Sequence, residues 1–113
     1  MSDCIFCKIA AGEIPSNKVY EDDKVVAFYD LNPNAKVHVL VIPKEHIANV
    51  AEIDETNSAV VAHIFEVIAK LAKELNLDQG FRVVSNCKEY AGQSVFHLHF
   101  HLLGGEQLSM KMC

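Results

Sequence analysis

The sequence is short of basic residues. Ten Lys and Arg stand against fifteen Asp and Glu, the net charge is −5, and no run of Lys or Arg interrupts the pattern. Binding nucleic acid without regard to sequence needs a basic surface, so that class is excluded. An anionic ligand must be met by local donors. No apolar segment approaches the ~20 residues that cross a membrane, and MSDCIFCKIAAGE carries Asp3 and Lys8 where an export signal would have an apolar stretch. The chain therefore reads as soluble and cytoplasmic. Low-complexity segments and internal repeats are missing too. The 113 residues, half of them hydrophobic, suit one domain over 1–113 with a single core.

There are four cysteines: Cys4, Cys7, Cys87 and Cys113. Without an export signal a disulfide framework is not expected. Cys4 and Cys7 form a C-x-x-C, a spacing that fits a redox pair, half a zinc site or coincidence. A thioredoxin-like redox motif would follow a strand, and none precedes Cys4.

The patterning gives a short helix from residue 4 to about 12, ended by Gly12. Strands are expected at 18–21 and 25–30, joined by a tight turn at Asp22-Asp23, and VHVLVIP (37–43) is a central strand stopped by Pro43. LNPNAK is a loop, and KEHIANVAEI a helical turn plus loop. Val60, Ile64, Val67, Ile68, Leu71 and Leu75 recur at helical spacing and predict one long helix from residue 54 or 56 to 76. FRVVSN (81–86) is a fourth strand, CKEYAGQ a loop and 94–103 a fifth strand. The sum is an α+β fold: an antiparallel sheet of about five strands, one long helix and a short N-terminal helix.

That fifth strand contains SVFHLHFHLLGG, in which His97, His99 and His101 alternate with Phe96, Leu98, Phe100 and Leu102. Period 2 puts the apolar set on a core face and a row of imidazoles ~6.6–6.8 Å apart on the other. Two readings compete. An H-x-H pair could chelate a catalytic zinc, making a metallohydrolase. Alternatively one imidazole, largely unprotonated at neutral pH, attacks phosphorus while its neighbour serves the phosphate. The preceding AGQS favours the second, because Gly92 lets backbone approach a ligand and Gln93 and Ser94 bring donors for an anion. Of the other histidines, His63 lies within the long helix and reads as a partly exposed or core-edge histidine. His38 and His46 gain interest only from the row.

GQSVFHLHFHLLGG resembles the signature of the histidine triad (HIT) family, and GEIPSNKVYEDDKVVAFYDLNPNAKVHVLVIPKEHI resembles the N-terminal half of its Hint branch, together spanning roughly residues 3–106. The resemblance implies hydrolysis of purine nucleoside 5'-phosphoramidates or related compounds through a nucleotidyl-histidine intermediate. It makes His99 the nucleophile, has His101 contact the phosphate, and has His38 assist the triad. Asp30 would hold the ribose hydroxyls with Leu31 beside the nucleoside. Asn86, Gly92, Gln93 and Ser94 would bind phosphate, Ser94 near the leaving group. Read alone, Asp30 is a loop-initiating carboxylate and Asn86 a turn residue. The resemblance also implies a structural, non-catalytic zinc on Cys4, Cys7, His46 and His97, a Cys₂His₂ set, and a homodimer whose two sheets join into one. The family's nucleotidyltransferase branch has Gln where this chain has His101 and fits less well. The tail EQLSMKMC lacks the aromatic residue of the best-known eukaryotic Hint proteins, whose tails reach the partner's site. Cys87 and Cys113 receive no role. The alternatives are a zinc-dependent metallohydrolase using the row and a nucleotide-binding regulatory module.

Overall fold

The computed structural model describes residues 4–111; Cys113 lies outside them. Five strands, β1 (Lys18–Glu21), β2 (Val25–Tyr29), β3 (Val37–Pro43), β4 (Phe81–Val84) and β5 (Phe100–Gly104), form one antiparallel sheet in the order β1-β2-β3-β5-β4. A short helix α1 (Ile5–Ala10) and a long helix α2 (Ser58–Glu74) complete the expected α+β architecture. No helix among the described residues is long and apolar enough to cross a membrane.

Strand parity decides which helix each residue meets. Val25, Ala27, Val39, Val41, Phe100 and Leu102 face α2, which presents Ile64, Val67, Ile68 and Leu71. Val26, Phe28, Leu40 and Ile42 point to the opposite face, where Phe6 and Ile9 of α1 cover them. The central strand is apolar except at His38, and both of its faces are covered. Burial of side chains such as Ile42, Ile64, Leu71 and Leu102 stabilises the fold by about 1.5–3 kcal/mol each. On the α1 face, the same parity carries Asp30 next after Phe28, and places His38 beside Leu40 and His101 opposite it.

Several boundaries shift for local reasons. The long helix ends at Glu74 because Asn76 turns left-handed (φ 61°), with Leu77 N–H donating to Ala72 O at 2.8 Å and Asn76 N–H to Lys73 O. This is a Schellman end, just short of the expected end at residue 76. The β1–β2 turn is built on Asp22, whose carboxylate accepts from the N–H groups of Lys24 and Val25 and from Tyr20 Oη. His63 also donates to it, at 2.6 Å, so this histidine ties α2 to the hairpin instead of lying idle. That hydrogen bond, with a second to Glu66, raises the His63 pKa. Burial pushes the Asp22 carboxyl up, but its hydrogen bonds from His63, Lys24, Tyr20 and Val25 outweigh this and hold it well below the usual carboxylate range.

Strand β5 differs most from expectation. Only 100–104 pairs in the sheet, so His97 and His99 precede the strand, and Phe96 is half exposed instead of packing in the core. The segment still alternates: Leu98 joins the α2 core while His97 and His99 turn to the α1 face. Its amide is held outside the ladder, Leu98 N–H donating to Ile47 O.

Candidate active site

Parity brings four of the expected residues together. The side-chain donor atoms of Asp30, His38 and His101 lie within 4.8 Å of one another, and the His99 and His101 rings are 5.1 Å apart. His38 and His99 are buried and His101 partly so.

Hydrogen bonds assign the tautomers of these rings. Asn34 N–H donates to His38 Nδ1 at 3.0 Å, so a neutral His38 carries its proton on Nε2. That Nε2–H donates to His101 Nδ1 at 2.9 Å, which leaves the His101 proton on Nε2. His99 Nδ1–H donates to the carbonyl of His97 at 2.7 Å, and its Nε2 keeps a free lone pair. One imidazole thus offers a free lone pair and its neighbour a free N–H. Asp30 does two things at once: Oδ1 caps its loop by accepting from Asn32 N–H, while Oδ2 lies 3.5 Å from His38 Nε2.

Burial keeps the cluster neutral. It lowers the pKa of His38 against the opposing pull of Asp30, and that of His99 against the hydrogen bond to the His97 carbonyl and the pull of Asp30. Burial, followed by the His99 and His38 charges, pushes His101 down to about 4. An unfolded His101 takes a proton as pH falls below its ordinary 6.5, whereas the folded one does not until about 4. Folding stability should therefore be lost between pH 6.5 and 4, by up to about 1.4 kcal/mol per pH unit for this one group. Melting of wild type and His101→Asn across that range measures the difference, and parallel curves would refute the assignment.

The loop before the row is braced by Gln93. Its Nε2 donates to Ala48 O and Val95 O and its Oε1 accepts from Lys88 N–H, so its amide protons are spent on backbone. Gly92 is left-handed (φ 82°), and Ser94 is exposed at the loop's end. Asn86 is partly buried in the segment after β4, and Leu31 is almost fully exposed beside Asp30. Three contributors had no recognised signal in the sequence. Ser85 Oγ donates to His99 O at 2.9 Å, the Asn34 backbone orients His38, and Phe6 packs on His99.

A second cluster gathers Cys4, Cys7, His46 and His97, whose donor atoms also lie within 4.8 Å of one another. His97 Nε2–H donates to Pro43 O at 2.8 Å, which turns the Nδ1 lone pair towards Cys4 Sγ at 3.3 Å and Cys7 Sγ at 3.4 Å. His46 Nδ1 is 3.2 Å from Cys7 Sγ. One lone pair facing two sulfurs exceeds what a hydrogen bond uses. Two sulfurs and two nitrogens around a tetrahedral zinc would stand about 3.5 Å apart, close to what is found. Burial pushes the Cys7 thiol up to about 11, and the hydrogen bond to Cys4 and its charge act in the same direction, so a bound cation would supply the missing compensation.

Residues 11–108 match the HIT domain. The chain belongs to the HIT family. A histidine triad protein from Clostridium difficile is 55% identical, with TM-score 0.93 over 96% of each chain. A HIT family hydrolase from Clostridium thermocellum is 49% identical, with TM-score 0.97 over 100% of this chain and 99% of its own. A histidine triad nucleotide-binding protein from Candida albicans is 38% identical, with TM-score 0.80 over 98% of this chain and 87% of its own. In this HIT protein, two surface hollows of about 640 and 600 Å³ lie away from the triad, lined by Asn76–Arg82 with Gly105–Met110 and by residues around Asp22 and His63.

Proposed function

We propose that this chain is a nucleotide hydrolase that cleaves purine nucleoside 5'-phosphoramidates through a nucleotidyl intermediate on His99. One observation carries the reading: His99 Nδ1–H is committed to the His97 carbonyl, leaving Nε2 free beside a histidine whose own Nδ1 is occupied. The hydrolase and nucleotide-binding descriptions of the similar proteins support it.

The steps follow from these atoms. His99 Nε2 attacks phosphorus as the P–N bond breaks, and the nitrogen leaves as an amine with a proton passed from solvent by the Ser94 hydroxyl. The new imidazolium keeps Nδ1–H on the His97 carbonyl, which stabilises its charge. His101 Nε2–H donates to a phosphate oxygen, and His38 and Asp30 hold that donor in place. Water then attacks phosphorus, the P–N bond to His99 breaks, and the nucleoside monophosphate departs. Asp30 holds the ribose hydroxyls, Leu31 lies against the base, and Asn86, the Gly92 backbone and Ser94 meet the phosphate. Gln93 acts by keeping that loop in shape. Release of AMP and ammonia from adenosine 5'-phosphoramidate tests the reading, and no release would overturn it.

Cys4, Cys7, His46 and His97 would hold a zinc ion that pins the N-terminal segment to the sheet and takes no part in these steps. The closeness of Asp30, His38 and His101 gives a second reading, a catalytic metal there. In that case a chelator would stop turnover at once.

The protein would act as a homodimer joined through β4. Of the two sheet edges, β1 is broken by a register shift and carries Lys18 and Glu21, features that discourage pairing. Edge strand β4 presents Phe81, 44% exposed. Light scattering should give about twice the 12.6 kDa of one chain; a value near one chain would refute the dimer.

A further inference from the structure

The nucleophile's ring is held from two sides, and both holds begin at the cysteine–histidine cluster. The first is the His97 carbonyl, which fixes the His99 tautomer at 2.7 Å while the His97 side chain points its Nδ1 at Cys4 and Cys7. The second is Phe6, one of the two residues between those cysteines. Its ring meets His99 edge-on, with centroids 5.1 Å apart and planes at 86°. It also meets His97 at 6.0 Å and Phe28 at 5.6 Å. At 7% exposure, Phe6 has little room to withdraw without leaving a gap behind the imidazole.

Helix α1, which carries Phe6, has six residues. A helix that short does not persist alone in water. Its place depends on the burial of Phe6 and Ile9 and on the ends of Cys4 and Cys7, which face His46 and His97 across the cluster. The geometry points to Phe6 as a positioning residue for the nucleophile, coupling the state of the Cys4–Cys7–His46–His97 cluster to the orientation of His99. The cluster then has a task beyond holding the fold. It sets the plane in which His99 Nε2 meets phosphorus, and a small misplacement of a reacting group costs rate. The kinetic part rests on the assignment of His99 as nucleophile; the structural part does not.

The test compares the zinc-loaded wild type with Phe6→Leu, and each with its chelator-treated form. Two readouts are taken: kcat and KM on adenosine 5'-phosphoramidate, and the imidazole ¹⁵N shifts of His99 at one fixed pH. In Phe6→Leu, kcat should fall about tenfold while KM stays within about twofold. The separate Nδ1–H and Nε2 shifts of His99 should move towards each other as the ring samples both tautomers. Removing zinc from the wild type should shift the same two nitrogens, and should add little to the Phe6→Leu effect because both act through one contact. Wild-type kcat and His99 shifts in folded Phe6→Leu would overturn the proposal. So would unchanged His99 shifts after zinc removal from the wild type, a measurement that needs no variant to fold. If the wild type fails to hydrolyse the phosphoramidate, the functional reading falls, and the nitrogen shifts still decide whether Phe6 positions the ring.

Discussion

Replacing His99 with Asn should lower phosphoramidate hydrolysis by roughly 10⁴-fold or more, the scale of losing a nucleophile that works within a hydrogen-bonded group. Asn is the informative substitute because its side-chain amide can still donate to the His97 carbonyl, as His99 Nδ1–H does. It preserves that anchor and removes the lone pair that attacks. The mutant should stay folded, since the Leu98 and Phe100 packing around it is untouched. Nucleotide binding should persist, because Asp30, His101 and the Gly92–Ser94 loop remain. Turnover of substrate by wild type and His99→Asn, with nucleotide binding measured on both, decides the matter. A mutant that binds and retains substantial turnover would remove His99 from the chemistry and return the site to water activated by a metal at Asp30, His38 and His101.

How much of this was legible in the sequence depends on the range of each signal. VHVLVIP gave its strand bounds residue for residue, since a β-branched run ended by proline is a local statement. The stripe from Val60 to Leu75 locates α2 and its end near residue 76, and the left-handed Asn76 closes the helix at Glu74. Alternation over 96–102 put the three histidines on one face, yet overextended the strand. Periodicity records facing, whereas pairing is a separate matter: the ladder to β3 stops at Val41–Phe100 and that to β4 at Val84–His101. The division of the row into His97 towards the cysteines and His99 with His101 towards the site came only with the family resemblance. Spacing alone allowed any adjacent pair to act together. Asp30 keeps the loop-initiating role its local sequence gives, Oδ1 accepting from Asn32 N–H, while its other oxygen faces His38, a contact that no local signal announces. Residue type alone suits Gln93 to a phosphate; its hydrogen bonds to Ala48 O, Val95 O and Lys88 N–H involve backbone atoms that residue type does not reveal. Phe6 and the Asn34 amide were invisible for the same reason: one acts by packing across the fold, the other through an atom every residue possesses.

Stripping zinc from the protein should lower its melting temperature by on the order of 10 °C and reduce kcat without abolishing it, and restoring zinc should reverse both. The size follows from how little else fastens the N-terminal segment. Helix α1 buries only Phe6 and Ile9, and the chain from Gly12 to Asn17 is largely exposed and outside any strand. Four metal bonds from two thiolates and two imidazoles would join that segment to the β3 end through His46 and to the β5 approach through His97. His97, which would be one of the ligands, is already oriented by Pro43 O, a second contact of the kind that raises metal affinity. The rest of the fold stands on the α2 core, so the stripped protein should melt as a folded chain at lower temperature. Calorimetry with and without chelator, alongside zinc content and turnover, separates three cases. An unchanged melting temperature in protein shown to have lost zinc would refute the structural role. Immediate and complete loss of turnover would move the metal into the chemistry. A partial, reversible loss of both stability and rate is what a clamp behind the nucleophile should produce.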